Sequence, residues 1–247
     1  MRAIMRDQVQ AVPDIHALRD RLERMQGRRM DVPVLPTHPA FSSLLPGGGL
    51  RPGSAYALAR SASLLLALMA RPSQDGAWCG VIGMPELGAE AAEKYGLDLD
   101  RLVFIPDPGP RWLAVTATIT EVLPVVAVRP PVGSTAARGG AETTRLAARL
   151  RDRGSVLLVQ GAWPQAEAVI DVADPQWSGL GQGHGYLAGR ELTVSVSSRR
   201  SPNARRARML LPAADGSIEL LGAPAERLVP RERDAYPMRT YPVRAVG

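Results

Sequence analysis

Ser61 and Ser63 stand where an apolar run, Ala55–Leu58, turns into an apolar helix, within the stretch GLRPGSAYALARSASLLLALMA from Gly49 to Ala70. In an ATP-binding α/β protein this turn is the phosphate-binding loop. Its glycines bring backbone N–H groups onto a phosphate, its lysine reaches the same oxygens, and its Ser or Thr ligates magnesium. Here no glycine falls between Gly53 and Gly76, the chain's one lysine is Lys94, and Leu64, Leu65 and Leu66 fill the following positions. Without glycine the backbone does not readily adopt the positive-φ conformations such a loop uses. Ser61 and Ser63 can hold at most a metal-bound water, and nucleotide binding by the usual loop chemistry is not expected.

Other residues that carry chemistry are scattered. Arg199, Arg200, Arg205, Arg206 and Arg208 put five arginines in ten residues. Clustered guanidiniums neutralise phosphates and release counterions, so DNA-backbone contact is one reading and a solvated basic hairpin loop the other. No aromatic residue is interleaved to stack a base. His184, between Gly183 and Gly185, has no cysteine or second histidine at ligand spacing and reads as a turn residue. Ser197 and Ser198 lack a His/Asp partner set, which leaves serine hydrolase chemistry without support. Trp163 and Trp177 read first as packing residues. Cys79 is the only cysteine and sits among apolar neighbours, so it reads as a buried thiol with no disulfide framework.

These residues must be positioned by short elements. Pro13–Met30 carries Ile15, Leu18, Leu22 and Met25 at helical spacing, with Asp14 as N-cap and Gly27 as stop, an amphipathic helix whose stripe could pack on its own core or, by self-association, on a neighbouring subunit. A proline-rich connector follows. Strands are expected at Ala55–Leu58, Cys79–Gly83, Leu102–Ile105, Val125–Val128 and Ser155–Gln160. Helices are expected after Ser63 and at Ala89–Tyr95, Arg111–Leu123 and Thr143–Arg153. That alternation predicts a mainly parallel, covered sheet. Ala166–Val172 and Glu191–Ser197 alternate as half-buried antiparallel strands do. Met209–Pro212 and Ile218–Leu221 flank the hairpin turn Asp215–Gly216. The division expected is residues 1–36 as helix and linker, 37–222 as core, and 223–247 as an extension. In the extension Tyr236, Met238, Arg239 and Tyr241 form an anchor-like motif that a partner could capture.

Apolar content of 45% with 22% charged residues excludes global disorder, and 247 residues suffice for one large domain. The net charge of +6 permits an acidic partner. The N-terminal MRAIMRDQVQ lacks a secretory apolar core and no apolar run reaches bilayer-spanning length, so a cytoplasmic protein without membrane association is expected.

The order of these pieces resembles the RecA-type recombinase core, most closely its ImuA/ImuA-prime branch of actinobacterial accessory proteins in damage-induced mutagenesis. Gly49-Leu50 with Pro52-Gly53, Leu66–Ala70, Cys79–Ile105 with EAAEKYGLDLDRL inside it, Trp163-Pro164, Trp177–Gly181 and Gly183–Gly185 carry the likeness over about residues 40 to 221. The resemblance implies a RecA-like α/β core with antiparallel strands at its C-terminal side. It also places Arg60, Ser61, Ser63, Glu86 and Arg129 in a degenerate nucleotide pocket. Ser63-Leu64 stands where active members have Lys-Thr, and Arg129 where they end a strand with the magnesium-associated aspartate; an arginine there repels magnesium. Glu86 lies near the place of the glutamate that orients attacking water. With cradle, lysine and metal ligand missing, phosphoryl transfer loses most of its electrostatic stabilisation, and neither ATP hydrolysis nor a cofactor is expected. The resemblance implies an adaptor of error-prone translesion synthesis, bridging an ImuB-like Y-family polymerase homologue and an error-prone C-family polymerase. The alternatives are a divergent ATPase using Ser61, Ser63 and Glu86 with a neighbour's arginine, or a DNA-binding module working through the arginine cluster.

Overall fold

Five apolar runs are too short for helices yet apolar at consecutive positions, a pattern met by strands covered on both faces. In the computed structural model, which describes residues 33–181, 184–199 and 201–222, they are β3 (Ala55–Leu58), β4 (Cys79–Ile82), β5 (Leu102–Ile105), β6 (Val125–Val128) and β7 (Val156–Gln160). With β8 (Ala168–Gly181), β9 (His184–Ser198), β10 (Ser201–Leu210) and β11 (Glu219–Gly222) they form one nine-stranded sheet in the order β11-β10-β9-β8-β3-β7-β6-β4-β5. Pairing is parallel from β5 through β8 and antiparallel from β8 to β11. The mainly parallel sheet with antiparallel strands on its C-terminal side is thus present. A separate pair joins β1 (Leu35–Pro36) to β2 (Gly49–Leu50), so the connector enters the fold two residues before the expected boundary at 37.

Helices cover the two faces in different stretches of the winding. Between β1 and β2 lies α1 (Pro39–Ser42). From β3 the chain moves outward to β4 and β5 through α2 (Ala62–Gln74) and α3 (Ala89–Lys94), and returns to β6 and β7 through α4 (Trp112–Ile119) and α5 (Ala141–Arg153). Alternate residues of a strand face opposite sides. Accordingly Tyr56 and Leu58 of β3 pack with Leu64–Ala70 and Ala92, whereas Ala55 and Ala57 pack with Trp112, Leu146 and Leu150. At the carboxyl ends the direction of the connections therefore reverses between β3, which leads to α2 on one face, and its neighbour β7, which leads to Trp163 and Ala166 on the other. In open α/β sheets such a reversal leaves a crevice at the carboxyl ends of the strands.

Local chemistry explains the helices that frame this crevice. Ser61 caps α2 by accepting from the Leu64 N–H at 3.3 Å, and Leu64 through Ala70 are all buried, as in a helix that is apolar all round. The helix runs past Pro72 to Gln74. By contrast α5 is amphipathic, with Thr143, Leu146 and Leu150 inward and its arginines outward.

Three expectations change. The arginine cluster is not a loop: from Ser201 it is strand β10, in which Ala207 and Met209 are buried on one face while Arg206 and Arg208 lie on the other. Its period-2 alternation was masked by charge density. The strands β8 and β9 run to 14 and 15 residues, so Trp177–Gly181 and His184 belong to one long hairpin, with His184 paired to Gly181. The first of them is parallel to β3 on one side and antiparallel to β9 only on the other. Helix α4 ends at Ile119, before the expected Leu123. The amphipathic helix of Pro13–Met30, Arg200, Gly183 and the tail motif of Tyr236, Met238, Arg239 and Tyr241 lie outside the described residues. Among the described residues no helix is long and apolar enough to cross a membrane.

Candidate functional site

The turn after β3 lies at the reversal of the sheet. It is anchored by the Ala59 N–H to Ile170 O and by the Ser61 N–H to Ala59 O at 2.8 Å. The Ser61 and Ser63 hydroxyls lie 3.1 Å apart. Into this turn reaches Arg190 of β9, whose strand partner in β8 is Trp177. Its Nη2 donates to Ser61 Oγ at 3.1 Å and also to Ser63 Oγ, and its Nε donates to Leu211 O at 3.1 Å. The guanidinium carbon lies 5.3 Å from the centroid of the Trp177 ring, within the range of a cation–π contact. Burial pushes the Arg190 guanidinium below its ordinary range. Burial also pushes the nearby Tyr95 phenol up, against the lowering pull of Ser63 and of the Arg190 charge. Among the described residues no carboxylate pairs with Arg190.

A second set of contacts closes the neighbouring strand ends. Arg129 directly follows β6. Its Nε and Nη2 donate to Gln160 Oε1 at 2.9 and 2.6 Å, and its Nη1 pairs with Glu86. Gln160, fully buried at the end of β7, donates through Nε2 to Ser61 O at 3.1 Å. One amide thus links the Arg129–Glu86 pair to the turn that Arg190 closes. Gly83 makes the close approach feasible: at φ +74° a Cβ there would stand 2.7 Å from the Arg129 carbonyl oxygen. The Glu86 carboxyl is held below its ordinary range, first by a backbone N–H of its own residue and then by the Arg129 guanidinium.

This arrangement has definite chemical consequences. The Ser61 and Ser63 oxygens accept from a guanidinium, so a cation placed on them would meet the Arg190 charge. Glu86, placed by the sequence as a water-orienting residue, is tied to Arg129. Among the described residues no cluster of three or more His, Cys, Asp and Glu side chains is arranged to hold a metal. Arg60 is exposed, takes no part in these hydrogen bonds, and lines a cleft of about 360 Å³ that reaches the network at Gly83 and Arg129. The structure therefore brings Ser61 to Ser63 and Glu86 to Arg129, and leaves Arg60 apart.

The arginines of the β9–β10 segment do not form one surface. Arg199 is exposed in the turn; Arg205 donates to the Ser43 and Leu45 carbonyls at 3.1 and 3.4 Å. Arg208 is paired with Glu191, and Arg206 is exposed on the opposite face from Ala207. Sequence reasoning missed Gln160 and Arg190. A glutamine ending the run SVLLVQ is a readable signal, because a buried amide at a strand end must find partners. Arg190 had none, since its role depends on the pairing of two distant strands. Trp163 is buried as expected, whereas Trp177 is half-exposed and takes up the arginine.

Residues 43–165 match the family model described as the MT3502 N-terminal domain. The chain is also 34% identical over 128 residues to an uncharacterized protein, Rv3395c, of Mycobacterium tuberculosis; the matched part is 49% of this chain and 59% of that relative's length. The family match contains Ser61, Ser63, Glu86, Arg129 and Gln160, and ends before Trp177 and Arg190.

Proposed function

We propose that this chain is a RecA-like adaptor that performs no phosphoryl transfer and serves error-prone translesion DNA synthesis by holding an ImuB-like Y-family polymerase homologue together with an error-prone C-family polymerase. The observation that carries the non-catalytic part is the donation of Arg190 Nη2 to both the Ser61 and the Ser63 hydroxyl. Preorganised electrostatics is the main resource of a phosphoryl-transfer site, and here the turn's polar groups are already spent on an internal cation. The Glu86–Arg129–Gln160 contacts act in the same sense. The position of the turn, at the reversal of a mainly parallel sheet, supports the RecA-like reading of the fold. The damage-tolerance role and the two polymerase partners rest on the sequence resemblance alone.

Pull-down of the intact chain with the purified ImuB-like homologue, with and without magnesium-ATP and single-stranded DNA, tests this reading. Capture that is indifferent to nucleotide is expected. No capture removes the adaptor role, and capture that requires ATP removes the non-catalytic one.

A further inference from the structure

At the amino end of β3, on the face covered by α5 and at the opposite end of that strand from the closed turn, lies a cleft of about 430 Å³. Its apolar floor is Trp163, Leu150 and Ala147, and its rim carries Arg51 and Arg151. Two features fix its shape. Gly53, at φ +76°, lets the last turn of α5 approach so closely that a Cβ there would stand 3.0 Å from the Arg151 Cα. Across the cleft Gln165 is held at φ 56°, a left-handed conformation uncommon for a side-chain-bearing residue, in the segment that lays Trp163 and Pro164 into the wall. Among the described residues neither Arg51 nor Arg151 has a side-chain hydrogen bond or ion pair, so two free guanidiniums flank an indole and two aliphatic side chains.

We infer that this cleft binds a short acidic segment of a partner protein, with an apolar side chain on the Trp163 floor and carboxylates on Arg51 and Arg151. Guanidiniums pair with carboxylates in a planar, bidentate manner, and a tryptophan-floored pocket between them has the composition of an interface anchor site. A nucleic-acid strand fits less well. Two arginines do not make a phosphate track, and with Glu167 also in the lining the segment's carboxylates are confined to the Arg51 and Arg151 rim. The inference is independent of whether the Ser61–Ser63 turn takes nucleotide.

The test is a peptide-phage selection on the immobilised intact chain, followed by fluorescence anisotropy of the most enriched peptide as a labelled synthetic probe. The expected consensus sets Asp or Glu beside a large apolar residue. The affinity of that probe should fall at least about tenfold in the R51A/R151A double variant, because two charge-assisted contacts are lost. It should fall similarly in A147W, which fills the cleft and leaves both arginines, while thermal unfolding shows both variants folded. A consensus without acids, no enrichment at all, or an affinity unchanged in folded R51A/R151A overturns the inference. Displacement of the probe by a single-stranded oligonucleotide at equal or lower concentration assigns the cleft to nucleic acid instead.

Discussion

Replacing Arg190 by alanine tests whether the guanidinium closes the turn or merely rests against it. The change removes its donations to Ser61, Ser63 and Leu211 O and the contact with the Trp177 ring. Three bonds at about 1–1.5 kcal/mol each, with about 0.5–1 kcal/mol for the ring contact, give a gross loss of about 3.5–5.5 kcal/mol. About half is recovered. The half-buried charge no longer has to be desolvated, and it no longer stands beside the positive end of α2. A net loss of about 2 kcal/mol lowers the unfolding midpoint by roughly 4–8 °C in a domain of this size. Arg190→Lys keeps the charge but cannot reproduce the fork, so it should recover less than half of that loss. Differential scanning calorimetry of the three proteins reads this directly. A midpoint for Arg190→Ala within about 1 °C of the parent protein would refute the reasoning, since a closing contact cannot be that cheap to remove.

Four further outcomes follow from the same geometry. Gln160→Leu leaves Arg129 without its amide acceptor and the Ser61 carbonyl without its donor in a buried setting, so denaturant titration should show a loss of about 2–4 kcal/mol. Gly83→Ala forces a methyl group to 2.7 Å from the Arg129 carbonyl oxygen at positive φ and should cost at least about 2 kcal/mol in the same assay. The Glu86 carboxyl sits below its ordinary value of 4.5, so its contribution to stability is present above that pH and is lost as pH falls through the lower folded-state value. A small stability gap between the parent protein and Glu86→Gln at pH 7 should therefore close on acidification, and a gap that widens contradicts the pairing. Burial pushes the Cys79 thiol up to about 12. It should resist a thiol reagent such as DTNB in the native protein and react fully in denaturant, which a spectrophotometric thiol assay shows.

The parallel half of the fold was legible because its information is local. Runs such as VVAV and SVLLVQ announce covered strands, and Gly154 and the arginines of α5 mark a helix and its end. The absence of lysine and glycine from the turn after β3 was also legible, since it is read from residue types alone. What could not be read is what replaces them. Arg190 meets Ser61 and Ser63 across more than 120 residues, and nothing in GRELTVSVS marks its one arginine as the group that fills the turn. The arginine cluster misled for the opposite reason. Its charges suggested a solvated loop, whereas Ala207 and Met209 at alternate positions were the signal that mattered, and the sheet used them as core.

The most direct measurement is an isothermal titration of the intact protein with magnesium-ATP at millimolar nucleotide, accompanied by the thermal shift of the same samples. A turn already occupied by Arg190, with Arg129 bound to Gln160 and Glu86 beside it, predicts no saturable heat and no shift in midpoint. Saturable binding with a rise in midpoint would contradict the closed turn and restore the divergent ATPase.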